Sequence, residues 1–403
     1  MPKCKYHEVC GLDALENTEE ELCILHSQIS TKDNNEFNEA FEAHRKKNRC
    51  NFRFLYFPEK ADFNGATFNE GVDFSYAKFA KRAGFVEAKF TERANFASAK
   101  FTGGVDFLGT KFTKGADFKG ATFNEEADFN GATFAKEAIF FRATFRARTI
   151  FAPIQPVQRK DKTLQIFSEA DVDFSRVIVE PPDVLTLRDA DLKKCRFQHT
   201  DLRKVEITNA DWPEIIWPKK MPKGFGWLRT KRIGVYDEAS LPKGETRSLP
   251  HIERVYRELK QNYEDRRDFD RAGDFHYGEK QMRRKNPEIP LGRRFLLWLY
   301  WFVSGYGERC LRPVVWATVL LFTSALGYYR WGLQPKGSSS RLICSGFRDS
   351  AEYLFYSFRV MTFLKPEDLV PLGYARYVNA FESLVGPLLI GFFALALRQR
   401  LKR

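Results

Sequence analysis

The sequence predicts a β-solenoid over its first half and a membrane-embedded helical hairpin near its end, joined by charged helix. Three observations carry this prediction. An 11-residue unit repeats nine times from Cys50 to Arg148, and in a second stretch, Leu187 to Trp212, large side chains fall five residues apart. Two long, almost uncharged segments follow, at 313–329 and 377–397.

The repeat units run from CNFRFLYFPEK and ADFNGATFNEG to AIFFRATFRAR. Phe fills both large slots of every unit, at 52, 57, 63, 68, 74, 79 and onward to 134, 140 and 145. A small or apolar residue stands two positions earlier, as at Ala61, Ala66, Val72, Ala77, Ala83 and Val105. Gaps of five and six do not follow a helical stripe, which needs three and four. An 11-residue period also suits a supercoiled helix, but the intervening Gly, Asp, Asn and Thr disfavour helix and suit turns. Short straight edges and tight corners are expected, with one large and one small side chain inward per edge and coils stacked at roughly 4.8 Å.

In the second stretch Leu187, Leu192, Phe197, Leu202, Ile207 and Trp212 are the large residues. Leu185, Ala190, Cys195, Thr200, Val205 and Ala210 are their partners, and RDADLKKCRFQHTDLRK contains three successive five-residue units. Both stretches resemble the pentapeptide-repeat family, whose unit reads A-(D/N)-L/F-x-x. The resemblance implies a right-handed quadrilateral β-helix over residues 50–214, with two of the longer units per coil at first and four of the shorter ones later. Pro153, Pro156, Pro181 and Pro182 interrupt the pattern in 149–184, where a bulging loop or irregular coils are expected. Some members of that family imitate DNA through a strongly acidic surface. Here Asp62, Asp73, Asp106, Asp117 and Asp128 are offset by Lys78, Lys89, Lys100, Lys111, Arg142 and Arg146. Balanced charge imitates a polyphosphate poorly. A docking surface for an unknown cytoplasmic protein is expected instead, with no nucleic acid.

The chain has 403 residues and a net charge of +13, a length that suits two or three domains. MPKCKYHEVC leads into an acidic stretch without an apolar signal-type segment, so the first half is expected in a reducing cytosol. Cys50 and Cys195 fall in small inward slots, while Cys310 and Cys344 flank a hydrophobic segment. Cys4, Cys10, Cys23 and His26 suit tetrahedral zinc, with His7 as a rival ligand and free thiols as the alternative. This start resembles the zinc-type knuckle ahead of some membrane-bound pentapeptide-repeat proteins, and residues 1–49 are read as knuckle and cap. Four protein ligands leave no open position. No nucleophile–base pair or phosphate-cradling loop occurs, so no enzymatic activity is expected.

Residues 215–249 are rich in Pro, Gly and Lys and read as a linker or the far cap of the solenoid. Residues 250–290 read as a charged helical connector, with Ile252, Val255, Tyr256, Leu259 and Tyr263 on one apolar face. Asp270, Asp274, His276 and Glu279 are expected on a solvated helix face. Residues 291–403 form the membrane domain. An interfacial helix at 294–307 is too short to span, and spans are expected at 311–331 and 377–397. Eight basic residues between Lys280 and Arg312, and Arg398, Arg400, Lys402 and Arg403 after the second span, place both termini in the cytoplasm of a multi-pass cell-membrane protein.

Between the spans, EYLFYSFRVMTFLKPED resembles the pore helix and filter of two-transmembrane potassium channels, with Tyr356-Ser357, Thr362 and Asp368 in register. That resemblance implies a half-helix at 350–364, a re-entrant loop and a homo-oligomer, a tetramer by analogy. Where that family has filter glycines, this chain has Phe363, Leu364, Lys365, Pro366 and Glu367, which rules out a potassium-selective ring of carbonyls. Glu382 within the second span, Arg359 as its charge partner, Thr362, Lys365 and a break at Gly386-Pro387 are the pore or intramembrane candidates. Two functions follow as expectations: a channel-like pore module coupled to a sensing or docking solenoid, or a non-conducting membrane-anchored scaffold.

Overall fold

The computed structural model describes residues 2–15, 21–28, 33–48, 50–155, 165–182, 184–217, 230–240, 248–337, 347–364 and 368–401. The chain divides into two compact units, one of residues 1–216 with 231–266, the other of 217–230 with 267–403.

In the first unit, short parallel strands stack into four sheets, one per side of a β-solenoid. The first strands of the four sides are Tyr56–Phe57, Ala61–Asp62, Thr67–Phe68 and Val72–Asp73. Tyr56 pairs with Lys78 and Ala61 with Ala83, so one coil takes two of the longer repeat units. In the second stretch Leu185 pairs with Val205, a coil of four five-residue units. Between them Thr144 pairs with Ile178, a coil about half as long again as the regular one. The excess lies between Phe151, which ends one strand, and Ile166, which re-enters the ladder opposite Ala190. The proline-rich interruption is thus accommodated as one enlarged coil.

The Phe side chains make four columns down the interior. Phe57, Phe79, Phe101, Phe123 and Phe145 stack with centroids 4.7, 4.9, 5.1 and 5.1 Å apart, the spacing of successive strands. Neighbouring columns meet edge to face, as Phe85 and Phe96 do at 5.5 Å and 87°, a geometry worth about 0.5–1.5 kcal/mol per pair beyond burial. The alanines between them are sealed, with Ala83, Ala94, Ala116 and Ala127 at most 2% exposed. Cys195 fills its slot completely, whereas Cys50 is only half-buried because it lies at the entry to the first coil.

One corner of each unit is left-handed. Phe54, Gly65, Tyr76, Glu87, Ser98, Gly109, Gly120, Gly131 and Arg142, spaced by 11, all have φ between 56° and 67°. Four of the nine are glycine, the residue that adopts this conformation without a Cβ penalty. The other five accept that penalty because the coil geometry imposes the corner.

A solenoid ends in unpaired backbone, and both ends are covered. Before the first coil stand helices α1 (His7–Cys10) and α2 (Asn34–Asn48). Tyr56 N–H donates to Leu25 O at 2.9 Å, His44 Nε2 donates to Asn51 O at 2.6 Å, and Phe37 and Phe41 pack on Phe57. The far end is closed by helices α3 (Tyr236–Ala239) and α4 (Leu249–Asp265). Phe197 N–H donates to Asp237 Oδ2 at 3.2 Å and Leu202 N–H to Glu258 Oε2 at 3.2 Å. Asn262 donates to Leu202 O and Val205 O at 2.6 and 2.8 Å. The apolar face of α4, from Ile252 to Tyr263, is buried as expected.

The segment read as a linker or the far cap contributes α3 to that end of the solenoid, and the connector is divided. Glu214–Trp217 and Thr230–Ile233 form a two-stranded sheet, and the supposed connector is two helices parted at Arg266–Asp268. Its first half belongs to the cap because Glu258 and Asn262 satisfy the last coil.

The second unit holds helices α5 (Phe269–Lys285), α6 (Leu291–Ser304), α7 (Leu311–Trp331), α8 (Phe347–Met361) and α9 (Ala375–Leu401). Helix α5 packs on α6, with Trp301 Nε1 donating to Tyr277 Oη at 2.6 Å. Its acidic residues are less solvated than expected: Glu279 is buried and Asp274 meets Arg309 at 3.3 Å. Helices α7, α8 and α9 pack mutually around Tyr328, Tyr353, Tyr356 and Val360. Over Leu311–Trp331 and Ala375–Arg398, helices α7 and α9 are predominantly apolar, and most of each is not buried. They could cross a membrane.

Two outcomes are expected. Gly65→Ala has open space for its Cβ, so its cost of about 1–2 kcal/mol would be conformational alone, read from denaturant unfolding of the solenoid. Burial pushes the Asp237 carboxyl up to about 6 from 3.8. Its contribution to stability is complete below pH 4 and is lost as pH rises through 6. Asp237→Asn, which keeps an acceptor for Phe197, is expected to flatten that loss in melting curves from pH 4 to 8.

Candidate functional site

The N-terminal knuckle brings Cys4, Cys10, Cys23 and His26 together, all buried, with their ligand atoms within 4.8 Å of one another. Cys10 Sγ and Cys23 Sγ are 3.7 Å apart. His26 Nδ1 lies 3.1 Å from Cys23 Sγ and 3.5 Å from Cys4 Sγ. The turn from Cys23 to His26 is closed by His26 N–H to Cys23 O at 3.1 Å, which places both side chains on one side. Gly11, at φ 66°, ends α1 behind Cys10.

Backbone N–H groups of Tyr6 and Cys23 approach Cys4 Sγ at 3.4 and 3.3 Å, and that of Leu12 approaches Cys10 Sγ at 3.5 Å. Such donors favour thiolate. Hydrogen bonding from Cys23 holds the Cys10 thiol down to about 4, and the same bond pushes Cys23 up. Three sulfurs converging on one imidazole nitrogen form a closed, soft donor set that could hold a metal ion. His7, the rival ligand, is outside the cluster.

The knuckle is joined to the first coil by stacking as well as by Leu25. The Tyr6 ring lies 5.0 Å from His26 and stacks on Phe54 at 4.4 Å, and Phe54 stacks on Tyr76 at 5.0 Å. Spacing in the sequence did not suggest Tyr6 or Phe54 as parts of this assembly. Phe54 falls at a left-handed corner, and its half-buried ring is held there between Tyr6 and Tyr76.

The intramembrane candidates sort differently. Glu382 is fully buried and accepts from Tyr328 Oη at 2.7 Å and from Ser357 Oγ. Ser357 also reaches Leu321 O at 3.1 Å, and Asn379 donates to Tyr356 Oη at 2.9 Å. Glu382 thus ties α9 to both α7 and α8. Arg359 is not its partner: Arg359 Nη1 lies 3.3 Å from Asp368 Oδ2. On α8, Ser357 faces Glu382, and Arg359, two residues on, is turned about 200° away from it. Thr362 bonds its own helix end, Phe358 O, at 2.7 Å. Gly386 is a contact point and not a break. A Cβ there would come within 2.4 Å of Met361 Cγ, and α9 runs on through Pro387 as one helix. Helix α8 begins three residues before the half-helix expected there, and Lys365 lies outside the described residues.

Residues 56–100 and 96–144 match a family model described as pentapeptide repeats (9 copies), and residues 186–211 match one described as pentapeptide repeats (8 copies). The chain carries pentapeptide repeats, and they form its β-solenoid. No curated protein and no solved structure matches the chain.

Purified chain is expected to carry about one equivalent of metal, measured by elemental analysis. Cys23→Ser and His26→Gln should lose it and His7→Gln should keep it; loss in the His7 variant alone would reverse the ligand assignment.

Proposed function

We propose that this is a multi-pass membrane protein in which a re-entrant, channel-like hairpin assembles as a homo-oligomer, coupled to a cytoplasmic solenoid that docks or senses a protein partner. The observation that carries this is the antiparallel pairing of Leu333–Pro335, directly after α7, with Leu369–Pro371, directly before α9. The chain leaves and rejoins the hairpin at one level. Helix α8, about 22 Å long, is too short to span about 30 Å of hydrocarbon. Its contacts with Leu321, midway along α7, and with Glu382, about a quarter of the way along α9, support a half-helix that stops partway between them.

Two spans cannot enclose a pore, so conduction requires several copies. Tyr377, Phe381, Leu384, Leu388, Gly391 and Leu395 form an exposed stripe on α9 with spacing 4-3-4-3-4, the pattern of a helix–helix seam. A tetramer is the assembly we favour, by analogy with the channels the hairpin resembles. Basic residues flanking α7 and α9 put both termini in the cytoplasm. Phe363 and Leu364, in place of filter glycines, argue for a pathway that is not potassium-selective.

Zinc is the metal we assign to the knuckle, in a structural role. Tetrahedral zinc spaces two sulfurs by about 3.8 Å and a sulfur and nitrogen by about 3.5 Å; the 3.7 Å of Cys10–Cys23 and the 3.5 Å of Cys4–His26 match this, and Cys23–His26 is shorter at 3.1 Å. Bound there, zinc would supply a rigid cross-link that holds Leu25 and Tyr6 against the first coil.

A second reading, a non-conducting anchored scaffold, is favoured by the engagement of Glu382 and Arg359 within their own chain. Mass measurement in detergent followed by planar-bilayer recording separates the two. Tetramers passing current that changes severalfold with Leu384→Asn, on the exposed stripe, are the expected result. Silent bilayers containing verified tetramers would leave the scaffold.

A further inference from the structure

We propose that the junction of α5 and α6 binds an anionic phospholipid, its phosphate held by Arg284, Lys285 and Arg294 and an acyl chain laid along Phe295, Trp298 and Phe302. The inference rests on the membrane reading above. A groove of about 520 Å³ is lined by Arg284, Lys285, Leu291, Arg294, Phe295 and Trp298, three cations and three large apolar side chains. That mixture fits neither a soluble anion, which gains nothing from exposed Phe and Trp, nor neutral lipid, which does not reward three cations.

The arrangement is built by short-range geometry. Helix α5 ends on Arg283, Arg284 and Lys285, and the turn through Asn286 and Pro290 starts α6 beside it. Arg294 Nε donates to Arg284 O at 3.2 Å, and the Arg284 guanidinium lies 4.9 Å over the Trp301 ring. Both side chains are thereby positioned before any ligand arrives. The N-terminus of α6 has no side-chain cap, so its free N–H groups add to the positive end of the groove.

From there an aromatic track leads away. Phe295 stacks on Trp298 at 6.0 Å, Trp298 on Phe302 at 5.3 Å, and Phe302 meets Trp316 of α7 at 4.4 Å. Leu291, Phe295, Leu296 and Trp298 are 78, 60, 63 and 42% exposed. An aromatic track running from a cationic groove onto a helix apolar enough to span matches an amphiphile with one negative head.

The test uses full-length protein in mild detergent, with lipid retention read by native mass spectrometry. Phosphatidylglycerol should be retained over phosphatidylcholine. In Lys285→Gln/Arg294→Gln the preference should fall about 30-fold, the loss of two surface cations at roughly fivefold each. Trp298→Ala should weaken retention of both lipids and leave the preference intact. Excess glycerol 3-phosphate should not compete; full competition would assign the groove to a free phosphate and overturn the lipid. Wild-type chain that resists alkaline extraction from membranes yet retains both lipids equally overturns the groove assignment alone. Chain released by alkaline extraction overturns the spanning reading and this inference with it.

Discussion

Closure of each coil onto the next is the constraint on which the first unit depends. A two-residue edge strand has no stability of its own, since it gains only a couple of backbone bonds. It becomes stable because the Phe it carries lands on the Phe of the preceding coil at about 5 Å, the distance that lets the strand pair. Ring stacking and backbone pairing therefore impose the same spacing, and neither tolerates drift along the array. The same demand forces left-handed corners on Tyr76, Glu87 and Ser98, residues that do not prefer them.

A stack of coils transfers its unsatisfied groups to its two ends, and the rest of the unit answers that. At the far end carboxylates and an amide of α3 and α4 replace the missing coil, so that Asp237, Glu258 and Asn262 serve as backbone partners. At the near end the knuckle supplies Leu25 O and the Tyr6 ring. Four donors around one point have little apolar core to hold them, which is why a cross-linking ion suits this cap and not the other. In the helical unit Glu382 plays a comparable organising part. One carboxylate accepting hydroxyls from two other helices sets the register of three, and Gly386 lets Met361 approach closely enough to keep it.

Much of this was legible in residue order. The Phe spacing predicted a solenoid, because a solenoid makes spatial neighbours periodic in sequence, and the family resemblance implied its four sides and hence its two coil lengths. Cys23 and His26 were readable as a pair because three residues span one turn. Other features were not readable. Assigning Arg359 to Glu382 rested on the need of a buried charge for an opposite one, and hydroxyls from Tyr328 and Ser357 met that need instead. Gly386-Pro387 suggested a break because both residues weaken helices, yet packing against Met361 keeps α9 continuous. The charged string from 250 to 285 looked like one connector, since charge density conceals where a helix stops at Arg266–Asp268.

Sequence alone was enough to determine the solenoid, the position of its interruption, the three clustered thiols and the two apolar helices. Each of these rests on local periodicity or on short spacing, which the chain carries wherever it folds. Tertiary structure decided what seals the ends, which histidine joins the thiols, what Glu382 bonds and where three cations meet an aromatic track. Those depend on which distant side chains arrive at one place, and no periodicity along the chain records that.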